Sequence, residues 1–257
     1  MDLRNQNNHL SNELNIIKHA LNKEDMLSFE EENYCPICGK VSVFGPFGTT
    51  PRMHAKCLNC GSLERHRLVY LFFQKTYSYL LENENINLLH FAPEPLFYRY
   101  FIKNENINYF PVDIDPEGFM RRNIKIKQKV DMQDIPYPDK MFDFIYNSHV
   151  LEHIPDDLKG MRELYRVLKE DGVCITLIPQ QFTLKTTLEN DEYNTPELRR
   201  KYYGQEDHVR KYGLDFKYRL ESVGFNVEEI RAEDLLYSGE ERNLYKLIND
   251  VIYVCTK

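Results

Sequence analysis

Four of the six cysteines stand in two close pairs, Cys35/Cys38 and Cys57/Cys60, within CPICG and CLNCG. Thiolate sulfurs are soft ligands, and C-x2-C…C-x2-C with 18 residues between the pairs suits one tetrahedral zinc ion. Gly39 and Gly61 follow the pairs and let the backbone turn so that amides face the sulfurs. Disulfides or four buried thiols are the competing reading, and the polar start of the chain, with no secretory apolar segment, weighs against it. Four sulfur ligands leave no open coordination position, so the expected role is structural. Iron also fits four thiolates. Cys174 and Cys255 lie singly in apolar runs and read as small core residues.

The elements that carry these residues follow from periodicity. In residues 1–33, Leu10, Leu14, Ile17 and Leu21 form a helical stripe that Ser11 would cap. Residues 34–62 form the zinc-knuckle module, and residues 63–84 a connecting helix. Arg52, His54, Lys56, Arg65, His66 and Arg67 read as a solvated basic face with internal ion pairs, in preference to a contact surface for an anionic substrate. From residue 85 strands and helices alternate. Strands are expected at Ile86–Phe91, Tyr109–Asp113, 124–130 (an edge, with Lys125, Lys127 and Lys129 outward), Phe142–Tyr146, Val173–Ile178, Phe225–Ile230 and Val251–Cys255. Helices are expected at 95–103, around Leu158–Leu168 with Asp156 or Asp157 as cap and Gly172 as stop, and around Phe216–Val223, ended by Gly224. Residues 180–213 lack clean periodicity and read as an inserted lid or substrate loop. The fold class is α/β: a doubly wound, Rossmann-like, seven-stranded sheet, mostly parallel with the last strand antiparallel, preceded by a small zinc-ribbon-like module.

In such a sheet ligands bind beyond the carboxyl ends of the strands, near the point where strand order reverses. The residues there are His90 to Glu94, Asp113 to Asp115, Asp131-Met132, Asn147 to His149 and Pro179 to Gln181. A carboxylate ending the second strand can accept from a ribose diol, and one after the third strand from an adenine amine.

The stretch DMQDIPYPDKMFDFIYNSHVLEHIPDD, followed by MRELYRVLKEDGVCITLIP, resembles the class I S-adenosylmethionine (SAM)-dependent methyltransferases of the broad type 11 group. With VDID upstream and GFNVEEI downstream the resemblance covers residues 85–257. The combination CPICG…CLNCGSLERHRLVYL, LLHFAPEPL, HVLEHIPDD and EDHVRKYG is similar to a bacterial subset in which a zinc-knuckle module precedes the methyltransferase domain. The resemblance implies SAM as cofactor, Asp113 as the ribose-binding acid with Asp115 as the near alternative, Asp131 on the adenine amine with Met132 beside the ring, and Asn147 lining the methyl-donor side. The usual acid and Gly-x-Gly run of the first loop is altered: His90 stands at the acid, Ala92 at the first glycine and Glu94 at the second, with Pro93 and Pro95 between and after. Ala92 is still small, and Glu94 would neutralise the cofactor's ammonium.

Methyl transfer asks the protein to align a nucleophile with the S–CH3 bond and, for an oxygen nucleophile, to take its proton. His149 and His153, four residues apart, are candidate bases or substrate contacts; the competing reading is a packed histidine and a helix-start contact. His208, in EDHVRKYG with Arg210 and Tyr212, is a third candidate on the lid.

The charge balance bounds the partners. With 33 Lys+Arg against 40 Asp+Glu the net charge is −7, which argues against a general binder of nucleic acid or anionic membranes. No apolar run approaches the ~18 residues of a membrane span, so the expectation is a soluble cytoplasmic protein. The expected function is methylation of a small-molecule or sugar-like acceptor. The alternatives are a zinc-knuckle RNA methyltransferase, opposed by the charge and by NSHV after the fourth strand, and a non-catalytic binding protein on a methyltransferase framework, supported by the missing glycines.

Overall fold

The computed structural model describes residues 33–48, 51–78, 85–236, 245, 247 and 250–257. The helix expected in residues 1–33, with Leu10, Leu14, Ile17, Leu21 and Ser11, and the end of the connecting helix lie outside these. The chain divides into two compact units, residues 1–75 with 235–248, and residues 76–234 with 249–257.

The first unit is built on two small antiparallel pairs. β1 (Asn33–Cys35) pairs with β2 (Lys40–Ser42), and β3 (Phe44–Phe47) with β4 (Arg52–Cys57). Helix α1 (Glu64–Thr76) follows and buries Leu68, Val69, Leu71, Phe72 and Phe73. Its first residue accepts two hydrogen bonds from Arg52, both 3.1 Å. The structure corrects the solvated-face reading for Arg67. That guanidinium is fully buried, lies over the Phe44 ring, and donates to the carbonyls of Ala55, Ser62 and Tyr245. A buried cation persists only when its donors are satisfied, so Arg67 stitches this unit together.

The second unit is a seven-stranded sheet. In chain order its strands are β5 (Ile86–Phe91), β6 (Ile107–Asp113), β7 (Gln128–Lys129), β8 (Phe142–Ser148), β9 (Leu168–Leu177), β10 (Asn226–Ile230) and β11 (Ile252–Thr256). Their spatial order is β7-β6-β5-β8-β9-β11-β10. The pairs from β7 to β9 are parallel, and β11 is antiparallel to both neighbours, as expected for the last strand. Helices α2 (Pro95–Phe101), α3 (Pro116–Met120) and α4 (Asp157–Val167) connect the parallel strands. A 3-10 turn, Leu151–His153, precedes α4. Helices α5 (Pro196–Tyr203) and α6 (Phe216–Ser222) lie between β9 and β10, and the short α7 (Ala232–Leu235) follows β10. Leu89, Val112, Ile145, Leu164, Cys174, Phe216 and Cys255 are among the fully buried residues of the core. Among the described residues no helix is long and apolar enough to cross a membrane.

Two expectations about these elements need correction. The strand at 124–130 shrinks to Gln128–Lys129, although Ile124 and Val130 are buried and the lysines point out as the alternation predicts. Pro111 in β6 offers that side its carbonyl, bonded by Lys127 N at 2.7 Å, but has no N–H to extend the ladder. Gly172 does not stop α4. Asp156 caps the helix through Lys159 N, but Leu168 is already extended, and the chain runs directly into β9. Gly172 instead permits a close approach: a Cβ there would lie 2.8 Å from Leu168 and 3.0 Å from the Phe142 carbonyl, where the β8–β9 register shifts.

Candidate functional site

The strand order reverses between β6 and β8 about β5, so the crevice opens at the carboxyl ends of those strands. Asp113 ends β6 and is half-buried. Its Oδ1 accepts from Asp115 N at 2.7 Å, and burial raises its pKa from the ordinary aspartate value. Asp115 is an exposed helix cap whose Oδ1 accepts from Gly118 N at 3.2 Å, and a Cβ on Gly118 would lie 2.4 Å from Asp115 Oδ2. The two acids therefore have different local tasks, and Asp113 keeps the place at the strand tip. Between them Ile114 is 57% exposed, an apolar face at the tip that sequence reasoning missed although an isolated isoleucine in DID was its signal.

The first loop has left-handed backbone at Ala92, φ +46°, where the family pattern has glycine. His90 is fully buried. Its Nδ1 lies 2.8 Å from Tyr109 Oη and its ring 4.8 Å from that of Tyr146. The ring is enclosed by the side chains of Phe101, Tyr109 and Tyr146. Burial lowers its pKa, so the imidazole is neutral. Glu94 precedes α2 and its carboxylate lies 3.8 Å from His90 Nε2.

Asp131 follows β7 and accepts from Gln133 N at 2.9 Å and from the Gln133 side-chain amide. Met132 is a core residue, packed where α4 carries Gly160. At the tip of β8 Asn147 is fully buried and donates to Thr176 Oγ1 at 2.9 Å. Asn147 Oδ1 and Ser148 Oγ are buried with no hydrogen-bond partner. Two orphaned polar atoms at a strand tip fit a group that completes them.

Beyond β8 the backbone turns left-handed at His149, φ +56°. The 3-10 turn then presents Glu152 and His153, while residues 207–213 return alongside through Val209 N donating to Glu152 O at 2.9 Å. His149 Nδ1 lies 3.4 Å from Glu152 Oε1, and the His153 and His208 rings meet edge-on at 4.7 Å. Burial lowers the pKa of His208. The structure thus brings the three candidate histidines together. Glu152 was not singled out; an acid between two histidines in HVLEH was its only signal.

Arg210 and Tyr212 anchor the returning segment. Arg210 donates to the carbonyls of Leu151, Ile154 and Pro155, and Tyr212 Oη donates to Asp157 at 2.7 Å. Beside them a cavity of about 670 Å³ is lined by Pro155, Val209 and Arg210 together with Glu189, Tyr193 and Arg199 of the insertion. Asp113 and Asp131 do not line it.

In the first unit the four sulfurs of Cys35, Cys38, Cys57 and Cys60 lie within 4.8 Å of one another, and all four cysteines are free of disulfides. Gly39 and Gly61 have φ +67° and +75°, and their amides donate to the carbonyls of Cys35 and Cys57. Burial pushes the Cys35 thiol up to about 12. For Cys57 burial is outweighed by the amides of Cys60 and Asn59 and the Ser42 hydroxyl, which hold it at about 7. The donor set fits a four-thiolate metal.

Residues 96–176 match the methyltransferase-domain family. The segment runs from α2 to the end of β9 and contains Asp113, Asp131, Asn147 and the 3-10 turn. The 2-methyl-6-phytyl-1,4-hydroquinone methyltransferase 1 (chloroplastic) of Oryza sativa subsp. japonica is 43% identical over 49 residues, 19% of this chain and 15% of that protein. The demethylmenaquinone methyltransferase of Staphylococcus epidermidis is 35% identical over 54 residues, 21% of this chain and 22% of that protein. The matched stretch thus spans about a fifth of the length of these curated relatives. The crystal structure of the [4+2]-cyclase SpnF shares the fold, with a TM-score of 0.53 and 15% identity over 87% of this chain and 91% of that one. The larger unit carries a class I methyltransferase fold.

Proposed function

We propose that the protein is a SAM-dependent methyltransferase acting on a small-molecule acceptor by in-line transfer. The observation that carries this reading is the pair of strand-tip carboxylates, Asp113 and Asp131, inside the matched methyltransferase segment. SAM supplies a sulfonium methyl that is already activated. Asp113 accepts from the ribose hydroxyls, Asp131 takes the adenine amine, and Ile114 offers an apolar face to the base. Asn147 Oδ1 and Ser148 Oγ receive donors at the methionine end, where Ala92 keeps the loop narrow and Glu94 faces the ammonium. His149, His153 and His208 form the acceptor end, and the cavity beside Arg210 admits the acceptor. One relative is named for a hydroquinone and another for demethylmenaquinone, which supports a small organic acceptor. The four cysteines hold a structural zinc ion.

Titration calorimetry with SAM tests the donor site. The expected result is saturable heat, weakened roughly tenfold to a hundredfold in Asp113→Ala, the loss of a hydrogen bond to a charged group. No heat at millimolar SAM with folded protein would defeat the reading. That outcome would favour a binding protein on the same fold, which the glycine-poor loop at Ala92–Glu94 supports.

A further inference from the structure

The groups around the 3-10 turn have a property that proton transfer alone does not use. Glu152 is 1% exposed, and neither of its carboxylate oxygens receives a hydrogen bond. A buried carboxylate persists when a cation sits against it. Glu152, His153 and His208 each offer one ligand atom, and the three atoms lie within 4.8 Å of one another. His208 is 5% exposed, so its imidazole already faces the protein interior. Asp207 Oδ2 lies 3.3 Å from His153 Nδ1, the placement by which a carboxylate orients an imidazole that ligates through its other nitrogen.

We propose that Glu152, His153 and His208 bind a divalent transition-metal ion, with His149 as the adjacent fourth group. Two imidazoles and one carboxylate suit zinc, iron, manganese or cobalt and leave coordination positions open. Bonds of about 2.0–2.2 Å put ligand atoms roughly 3–3.5 Å apart, so the side chains draw in slightly on binding. The backbone is already arranged for this. One turn carries Glu152 and His153, and the bond from Val209 N to Glu152 O holds His208 opposite them. The site is separate from the four-thiolate cluster and differs from it in chemistry, since it is harder and is not closed.

Metal binding stands apart from the methyl-transfer reading; only the ion's task rests on it. An acceptor hydroxyl on the ion loses its proton to water more readily. Its oxygen lone pair then forms the O–CH3 bond while the S–CH3 bond breaks and sulfur keeps the electron pair.

The test is zinc content of the full chain after equilibrium dialysis against micromolar zinc, measured by mass spectrometry without SAM. Wild-type protein should hold two ions, and the His153→Ala/His208→Ala double variant one. Glu152→Gln, close in shape, should also lose an ion while keeping its circular dichroism and melting temperature, which guards against a folding failure. Cys57→Ser/Cys60→Ser should keep the ion held by the histidines. One ion in wild type, or two in both folded histidine-site variants, would overturn the proposal. Two ions in wild type with no SAM binding would leave the metal site standing and remove the methyl-transfer reading.

Discussion

His90 stands in a box of rings formed by Phe101, Tyr109 and Tyr146, with Glu94 as the facing carboxylate. Its burial lowers its pKa from the ordinary 6.5, and the attraction of Glu94 does not reverse the shift. In the unfolded chain the same imidazole takes a proton near its ordinary pKa. Between the depressed folded value and 6.5 the unfolded state therefore binds more protons, so stability rises with pH across that window and is lost as pH falls through it. The slope from one such group is at most about 1.4 kcal/mol per pH unit. His90→Phe keeps the aromatic packing and removes the titration. Urea unfolding between about pH 7.5 and about pH 5.5 should show a steeper loss of stability in wild type than in the variant. Equal slopes would mean that His90 takes its proton in the folded state as easily as in the unfolded one.

At the scale of elements, order in residues 180–213 comes from polar anchors instead of an apolar stripe. Asp157, at the first turn of α4, accepts from Tyr212 at 2.7 Å and from two nitrogens of Arg219 at 2.7 and 3.0 Å. Arg210 and Arg219 share Glu189 on the other side. Asp157→Ala leaves two largely buried guanidiniums with that half-exposed carboxylate as their shared counter-charge, and the expected loss is about 3 kcal/mol in guanidinium unfolding. The surface pair Arg166–Asp139 provides the contrast, and Asp139→Ala should cost less than about 1 kcal/mol. Similar losses in the two variants would show that the network does not pin the insertion. The same chemistry explains what periodicity reveals. Ile86–Phe91 and Phe142–Tyr146 are mainly apolar, broken only by Asn87, His90 and Asp143, as a parallel sheet covered on both faces requires. Periodicity does not reveal the anchors of the insertion, because Arg210 and Tyr212 belong to no repeat and their burial depends on groups far along the chain. At the carboxyl ends of the strands the positions of Asp113 and Asp131 were legible from the strand boundaries. The choice between Asp113 and Asp115 depended on a local cap at Gly118, and the burial of Met132 and Glu152 depended on tertiary packing that a single sequence does not display.

Across the whole molecule the two units differ in what holds them. The larger has an apolar core drawn from its sheet and helices, from Leu89 and Val112 to Phe216 and Tyr253. The cysteine-bearing cluster of the smaller is Cys35, Phe44 and Cys57, bordered by Ile37, Cys38 and Cys60, so most of its packed side chains are the thiols themselves. Two-stranded pairs as short as β1–β2 and β3–β4 are marginal in water, and the metal proposed for the four thiolates would supply the missing folding free energy. Removing it should therefore affect one unit selectively. After a strong chelator treats the full chain, amides in residues 33–57 should exchange with solvent deuterium orders of magnitude faster. Amides of β5, β6 and β8 should keep their protection, because their hydrogen bonds and apolar neighbours do not involve the thiolates. Restoring zinc should return the protection at 33–57. If exchange is unchanged there, the thiol cluster holds together without metal; if β5, β6 and β8 open as well, the large core depends on the small unit, and the two do not fold on separate terms.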